Sequence, residues 1–299
     1  MAEWDNAEFL EDVRGRGGLP SGDLRYSDAK LLAAATLELR DVVAPMLVES
    51  QTDRAVYLSE VAVTAGQAEY RLPSRALAAR FQSVALDDGS GAYQRLRHLS
   101  PAAYYQQSST QQARPHGFYL RDYTLVLVPT PNTAFTLRLP YYQRPAQLVA
   151  SSAAGVVTAI AGAVVTVGTV PGAFTSGALY DVVRATPGFE TLVVGQAATL
   201  SGSNLTFPAN VPSGVAVGDY VCLAGQAPVP QCPVELRGLL AARTARRALA
   251  SVGDAQGASL LDSTVEELTA MAMRTLAPRA DDEPQEFGDV RRGLLYGVL

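Results

Sequence analysis

The sequence predicts an α+β protein, in which helical segments and a small antiparallel sheet carry an inserted all-β barrel or sandwich domain. Three observations support this fold class. Strand-like alternation runs through residues 118–145, charged residues become scarce in residues 151–230, and helical spacing returns after Pro233. Runs of strands followed by runs of helices are typical of α+β proteins rather than of parallel α/β folds.

Length and composition indicate a folded protein, more plausibly of two domains than of one. The chain has 299 residues, of which 48% are hydrophobic and 18% charged, so it can bury a large core. Its net charge of −5 disfavours a protein whose main task is to grip nucleic acid, although local basic patches stay possible. Neither a membrane span nor a secretion signal is found, and we expect synthesis in a cytoplasm and no membrane anchor.

The N-terminal part predicts two helices. Residues 2–13 suit a short helix, and a glycine-rich loop follows it. Ser27 or Asp28 can cap a second helix that runs to about Val43, because apolar residues recur along it at helical spacing. Pro45 is expected to weaken or end this helix, since proline lacks the backbone N–H.

The next part of the chain predicts two hairpins. Residues 57–64 and 67–72 flank Ala65-Gly66, a tight-turn sequence, as the first hairpin. Residues 80–86 and 93–99 flank a longer loop rich in Asp and Gly as the second. Together with the segment that follows, they predict the small antiparallel sheet.

A short helix and a third hairpin complete this sheet. Pro101 at a first helical position predicts a helix to about Gln107. Residues 118–128 form the first strand of the hairpin, and the continuous apolar run Leu125–Val128 predicts cover on both faces. The second strand starts at Thr133 and has one apolar and one polar face. Prolines turn the chain between the strands and end the second one: Pro129, Pro131, Pro140 and Pro145.

Residues 151–230 differ from the rest of the chain in composition. Valine-rich strands separated by Gly or Pro turns predict a small all-β barrel or sandwich, with strands at 156–160, 164–167, 178–183 and 193–200. A sheet with so little charge is an edge hazard for a monomer, so we expect neighbouring copies to cover it. The charged residues of this segment are Asp181, Arg184, Glu190 and Asp219.

Helical spacing after Pro233 predicts an antiparallel pair of helices. The first has a basic side and ends at Gly253, and the second is amphipathic and stops before Pro278. The predicted organisation therefore has four parts. They are residues 1–150, the N-terminal helices and sheet of the core; 151–230, the inserted all-β domain; 231–278, the helical pair that completes the core; and 279–299, an extended docking tail.

No motif of catalysis or cofactor binding is found, and we expect no enzyme activity, no cofactor and no metal site. A Ser-His-acid triad would need His98 or His116, and such histidines are more typical of a strand surface. Cys222 and Cys232 could form a disulfide, but cysteines made in a reducing cytoplasm usually stay free. Zinc is disfavoured because the histidines make no ligand spacing with them.

Three groups of similar residues each allow a functional interpretation and a purely structural one. An acidic run could hold a divalent cation, but a solvated acidic tail is more common. Four tyrosines could stack bases, although without a basic groove we favour sheet-edge packing and subunit contact. Three arginines on one helix could face DNA, pair with acidic neighbours in a ring, or form a solvated face. The clusters are Asp281, Asp282, Glu283 and Glu286; Tyr104, Tyr105, Tyr141 and Tyr142; and Arg243, Arg246 and Arg247.

Six segments, in their order along the chain, carry a family resemblance: Leu24-Arg25-Tyr26-Ser27 with the helix after it, residues 70–73, residues 99–104, residues 118–129, residues 139–148, and residues 228–236 with the helical pair after them. They resemble the head-to-tail adaptor (connector) proteins of short-tailed bacteriophages, and the resemblance covers nearly the whole chain. It rests on pattern and order, since no segment is a catalytic signature.

The resemblance implies a structural virion protein at the head-tail junction. It implies a self-assembled ring, a dodecamer, clamped to the portal protein above and to tail nozzle or fibre proteins below, with double-stranded DNA passing non-specifically through the centre. The N-terminal helix and the helical pair would form the ring wall. From the composition of residues 151–230, we further expect this segment to face tail components. The alternative is another tail or collar component whose β-domain binds a receptor or decorates the tail; an enzyme on a β scaffold ranks third.

The C-terminal tail is the candidate docking segment. It is too apolar for a free terminus and is separated from the preceding helix by Pro278 and Pro284. Such a segment orders on a partner, at a cost of about 1–2 kcal/mol per residue fixed, which burial must exceed. We expect it to bind the portal or an adjacent subunit, the alternative being its own domain. The candidate partner-binding residues are Phe287, Val290, Leu294, Leu295, Tyr296, Val298 and Leu299.

Overall fold

The computed structural model describes residues 5–50, 56–87, 89, 93–100, 112–185 and 190–276. In this part of the chain, helices lie at both ends of the sequence and antiparallel sheets lie between them, which confirms the α+β class. The predicted helix at 101–107 and the tail at 279–299 fall outside the described residues.

The first N-terminal helix begins and ends later than predicted, whereas the second begins at Asp28 as predicted and continues beyond its predicted end. The Asp5 side chain caps the first helix by accepting hydrogen bonds from two backbone N–H groups, and Gly18 ends it in the left-handed conformation. Helix also continues past Pro45, because a π-helical turn precedes it and shifts the hydrogen-bond register where the proline N–H is missing. The elements are α1 (Asn6–Gly17), a 3-10 turn (Leu24–Tyr26), α2 (Asp28–Glu38), the π turn (Leu39–Val43) and α3 (Ala44–Ser50).

The C-terminal helices pack against the N-terminal ones. The predicted basic helix is α4 (Val234–Ser251). A short helix that was not predicted, α5 (Ala255–Leu260), follows it, and the predicted amphipathic helix is α6 (Asp262–Leu276). Helix α4 contacts α1 and α2 on one side and α6 on the other. We call residues 5–50 and 234–276 the helical unit. Its single core includes the fully buried side chains Phe9, Leu31, Leu39, Leu236 and Leu239.

Residues 56–143, the sheet unit, form two main sheets, of which one is antiparallel and the other is mixed, because β6 pairs with β8 in parallel. A five-stranded sheet has the order β1-β11-β4-β5, with β3 also paired to β11, and a four-stranded sheet has the order β2-β9-β8-β6. Strands β7 and β10 make a short parallel pair. The strands are β1 (Val56–Val63), β2 (Glu69–Arg71), β3 (Ala76–Phe81), β4 (Ala85–Asp87), β5 (Tyr93–Arg95), β6 (Arg97–His98), β7 (Gln112–Ala113), β8 (Gly117–Arg121), β9 (Thr124–Val128), β10 (Thr130–Pro131) and β11 (Phe135–Gln143).

The third predicted hairpin is wrong, because β9 and β11 lie in different sheets. Strand β9 pairs with β8 through a tight turn at Asp122, which holds a positive φ of 51°. After Pro129 and Pro131 the chain crosses to the five-stranded sheet, where β11 pairs with β1. Pro140 lies within β11 opposite Leu58 and does not end the strand. The expected burial of β9 on both faces is confirmed.

Of the other two predicted hairpins, one is confirmed. Strands β4 and β5 pair with Ala85 opposite Arg95 and Asp87 opposite Tyr93. Strands β1 and β2 reverse direction at Gly66, whose φ is 82°, but they do not pair with each other. They separate into the two sheets, because each finds a distant partner strand.

Residues 155–223, the β-unit, form one seven-stranded antiparallel sheet. Its order is β16-β15-β19-β13-β14-β18-β17, so only Ala198 separates β16 from β17 at the opposite ends of the order. The sheet therefore curls back on itself around one core, without closing into a barrel in the described residues. The four predicted strands are found. The strands are β13 (Gly155–Ala161), β14 (Val164–Val167), β15 (Leu179–Val183), β16 (Thr191–Ala197), β17 (Thr199–Ser201), β18 (Asn204–Thr206) and β19 (Tyr220–Leu223).

Two chain segments connect the β-unit to the rest of the molecule and run side by side. Strand β12 (Gln147–Leu148) enters it and pairs in parallel with β20 (Gln226–Ala227), which leaves it. The fully buried Asn6 at the start of α1 ties both segments down, since its Nδ2 donates to the Val149 carbonyl at 2.5 Å and to the Ala227 carbonyl at 3.2 Å. The β-unit is therefore anchored at the first turn of the helical unit.

Candidate functional site

The predicted docking residues of the tail lie outside the described part of the chain, and their contacts stay a prediction. The same holds for the acidic run at 281–286 and for Tyr104 and Tyr105. Tyr141 and Tyr142 are described, and they are buried in the interior strand β11, so neither forms a base-stacking platform nor packs at a sheet edge. Burial raises the pKa of Tyr141 to about 12.

The candidate histidines lie in the sheet unit, whereas Cys222 lies on β19 and Cys232 lies between β20 and α4. His98 and His116 are both exposed, and the His98 ring packs edge-on against Phe118. Cys222 and Cys232 are free and buried, and burial raises the pKa of both thiols. Among the described residues, no group of three or more His, Cys, Asp or Glu side chains could hold a metal ion. No described helix is both long and apolar enough to cross a bilayer.

The basic side of α4 is neutralised within the chain. Glu38, at the end of α2 and almost fully buried, accepts from Arg243 Nε at 2.7 Å and from Arg247 Nη1 at 2.8 Å. Arg246 forms an exposed ion pair with Asp262 at the start of α6. These arginines therefore hold helices of their own chain together. This role differs from two of the interpretations given above, a contact with DNA and a solvated helix face without partners.

Glu38→Gln is expected to lower the free energy of unfolding of the helical unit by about 1–3 kcal/mol, because one buried carboxylate serves two guanidinium groups. Helical circular dichroism during denaturation measures this. The matched control is Asp12→Asn on α1. It breaks a more exposed ion pair to Arg16, which lies one turn further along α1, and is expected to cost about 0.5 kcal/mol or less. Equal losses for the two variants would contradict a bridging role for Glu38.

A buried ion pair joins the sheet unit to the β-unit. Asp181 on β15 is fully buried, and its Oδ2 lies 2.5 Å from Arg75 Nη1 in the segment before β3. The Asp181 carboxylate also accepts from the Gly195 N–H at 2.7 Å and from the Gly225 N–H at 2.8 Å. Arg75 in turn donates to the Arg144 carbonyl at 3.2 Å. Every oxygen of this buried carboxylate therefore has a donor.

Burial sets the electrostatics of this junction. It raises the pKa of Asp181, while the charge of Arg75 and the two backbone N–H groups oppose the rise. Burial also raises the pKa of Tyr57, whose ring packs edge-on against Tyr141 at 5.7 Å. A buried pair of this kind holds a contact in one geometry rather than adding much stability. It fixes how the two units sit against each other.

Sequence reasoning did not identify this junction, although a signal was present. Asp181 is one of four charged residues in an otherwise uncharged segment. Asp219, another of the four, is also buried, and it accepts from the backbone N–H groups of Ala185 and Ala216. A lone carboxylate in an apolar strand usually has a buried partner, because an unpaired buried charge is costly. The identity of that partner could not be predicted.

Exposed apolar side chains occur on both α5 and α6. Leu260, Met271 and Met273 on α5 and α6 are 73%, 63% and 47% exposed. Methionine is enriched at protein interfaces, so these side chains are candidates for a subunit contact. The helical unit thus offers apolar contact surface.

The described residues form an α+β fold with exposed apolar side chains and internal ion pairs. The model of the SU10 adaptor protein family matches residues 7–203. The chain belongs to this family of structural phage adaptors, which confirms the head-to-tail adaptor resemblance. No curated protein matches the chain.

Proposed function

We propose that the chain forms a ring at the head-tail junction of a virion, a dodecamer by the family resemblance. The ring binds the portal protein on one side and tail nozzle or fibre proteins on the other, and double-stranded DNA leaves through its centre. Membership of the adaptor family carries this proposal. The exposed apolar residues of α5 and α6 support it, since neighbouring subunits would cover them.

The neutralised arginines of α4 suit passage of DNA. Every phosphate that an arginine binds adds to an affinity that would slow sliding. Arg243 and Arg247 are held by Glu38, and Arg246 by Asp262, so this face presents balanced charge. Weak, non-specific contact is what a channel lining needs.

The β-unit is placed by this proposal against tail components. Apolar side chains exposed on it include Val156, Leu179 and Val217. Its anchoring through β12, β20 and the Arg75–Asp181 pair supports a fixed outward position rather than a loose appendage. A tail or collar component that binds a receptor through the β-unit is the second candidate, and these exposed residues would serve it too.

Light scattering of the purified protein, alone and after mixing with the portal protein of the same phage, tests the proposal. We expect a monomer or small oligomer that joins one large stoichiometric complex when the portal is added. A stable trimer or similar assembly that ignores the portal would overturn the adaptor ring and favour the second candidate.

Deletion of residues 287–299 is expected to abolish or strongly reduce complex formation with the portal, because the tail's apolar side chains would supply the contact. The readout is the fraction of portal rings carrying the adaptor after size separation. Leu24→Ala, which shortens an 83% exposed apolar side chain far along the sequence from the tail, is the control and is expected to leave assembly intact. Unchanged assembly of the deletion variant would show that the tail packs elsewhere.

A further inference from the structure

Three arginines converge where the helical unit, the sheet unit and the connection to the β-unit meet. The Arg144 N–H donates to the Arg75 carbonyl at 2.6 Å, and Arg75 Nη2 donates back to the Arg144 carbonyl at 3.2 Å. Arg40, in the π turn, donates from Nε to the Pro145 carbonyl at 3.1 Å. We call Arg40, Arg75 and Arg144 the arginine cluster.

The positive charge of the arginine cluster exceeds the negative charge around it. Asp181 forms an ion pair with Arg75, whereas Arg40 and Arg144 form no ion pair with any residue that the structure describes. Burial and the nearby charges of Arg144 and Arg75 lower the pKa of Arg40, and the exposed Asp41 opposes this only weakly. Because a guanidinium stays charged at all ordinary pH values, the cluster carries uncompensated charge at a half-buried place.

A source of carboxylates follows the helical unit in the sequence. The densest acidic run of the sequence is residues 281–286, and it follows α6, whose last residue Leu276 lies in the helical core. Helix α6 packs against α3, which continues directly from the π turn that carries Arg40. The connection from Leu276 to Asp281 can extend by at most about 18 Å, which keeps the acidic run near the end of α6.

We propose that the acidic run 281–286 binds the arginine cluster of its own chain through carboxylate–guanidinium ion pairs. Arginine favours this partner because its planar fork matches a carboxylate. A duplex phosphate is the weaker candidate, since the cluster is half-buried between units and the protein is net acidic. This contact does not depend on the portal, and it would fix where residues 287–299 leave the subunit.

A spin label at Gln285→Cys in the full-length protein tests the contact. The label attaches selectively because both native cysteines are buried. The electron paramagnetic resonance spectrum is expected to show a slow component that is lost in Arg40→Gln/Arg144→Gln and weakened by salt. Arg71→Gln/Arg95→Gln removes the same charge from two exposed strand positions and is the matched control, expected to keep the slow component.

Two results would overturn the proposal. One is a label equally mobile in the unsubstituted chain and in Arg40→Gln/Arg144→Gln. The other is a slow component that disappears on dilution, which would assign the acidic run to a second copy. Because these measurements use the protein without portal, failure here leaves the ring proposal standing, and failure of portal binding leaves this contact standing. Circular dichroism of each variant shows that the helices remain folded.

Discussion

Asp181→Asn is expected to destabilise the folded protein by about 3–5 kcal/mol, because it leaves the guanidinium of Arg75 without its partner in a buried setting. The neutral side chain also accepts from only one of the two N–H groups, those of Gly195 and Gly225, that the carboxylate now satisfies. Calorimetric unfolding measures the loss. Glu69→Gln, which breaks an exposed ion pair to Arg121 of 2.7 Å, is the matched control and is expected to cost about 1 kcal/mol or less.

Arg75→Met distinguishes a charge effect at this junction from a packing effect, through its pH dependence. Arg75 is the largest contribution that lowers the pKa of Asp181, so its loss raises that pKa further. The pKa of such a carboxyl group is higher in the folded chain than in the unfolded chain, where it is about 4. Its contribution to stability is therefore fully present below the unfolded pKa and is lost as the pH rises through the folded pKa. The deficit of Arg75→Met should therefore be largest at neutral pH and shrink toward pH 4.

Asp181→Asn has no carboxyl group to protonate at this position, so its deficit should lack the part of the pH dependence that Asp181 supplies. A deficit of Arg75→Met that is constant with pH would indicate that lost packing, not the unpaired carboxylate, is responsible.

Leu236→Ala is expected to lower the free energy of unfolding of the helical unit by about 2–5 kcal/mol, since a fully buried leucine is removed and a cavity is left. Leu236 lies on α4 in the core that both ends of the chain share. Circular dichroism at the helical minimum, followed through denaturation, reports this unit because the described α-helices are confined to it.

The control for this substitution is Leu260→Ala, the same change at a side chain 73% exposed, which is expected to alter stability by about 0.5 kcal/mol or less. The two variants also separate stability from assembly. Leu260→Ala, on the proposed subunit contact, should weaken self-association while leaving the monomer stable. A similar loss of stability in both variants would mean that α5 is buried in solution.

Local patterns in the sequence predicted elements well and their partners poorly. The strand at 164–167 and the helix after Pro233 were found because valine runs and helical spacing are local properties. The turn at Asp122 was missed, since no glycine marks its positive φ. Strand β1 pairs with β11, nearly eighty positions further along the chain, and local sequence patterns carry no signal of such a distant pairing. Strands adjacent in the sequence were therefore predicted as hairpins that the structure does not contain.

The candidate site shows the same limit. The tail could be singled out because its apolar residues sit behind prolines, a pattern visible in the sequence alone. The Arg75–Asp181 pair and the partners of Arg243 and Arg247 depend on residues more than a hundred positions apart. The sequence shows that these residues are charged, but the packing of the fold determines which oppositely charged residue pairs with each of them.

The helical core built from both ends of the chain has a consequence for synthesis. Helices α1 and α2 leave the ribosome first, yet the helix that covers them, α4, begins at Val234. At 5–20 residues per second, about 10–40 s pass between the synthesis of α2 and the synthesis of α4, and the apolar faces of α1 and α2 are uncovered during that time. The nascent chain can form its sheets during that interval, whereas the helical core is complete only after α4 has been synthesised.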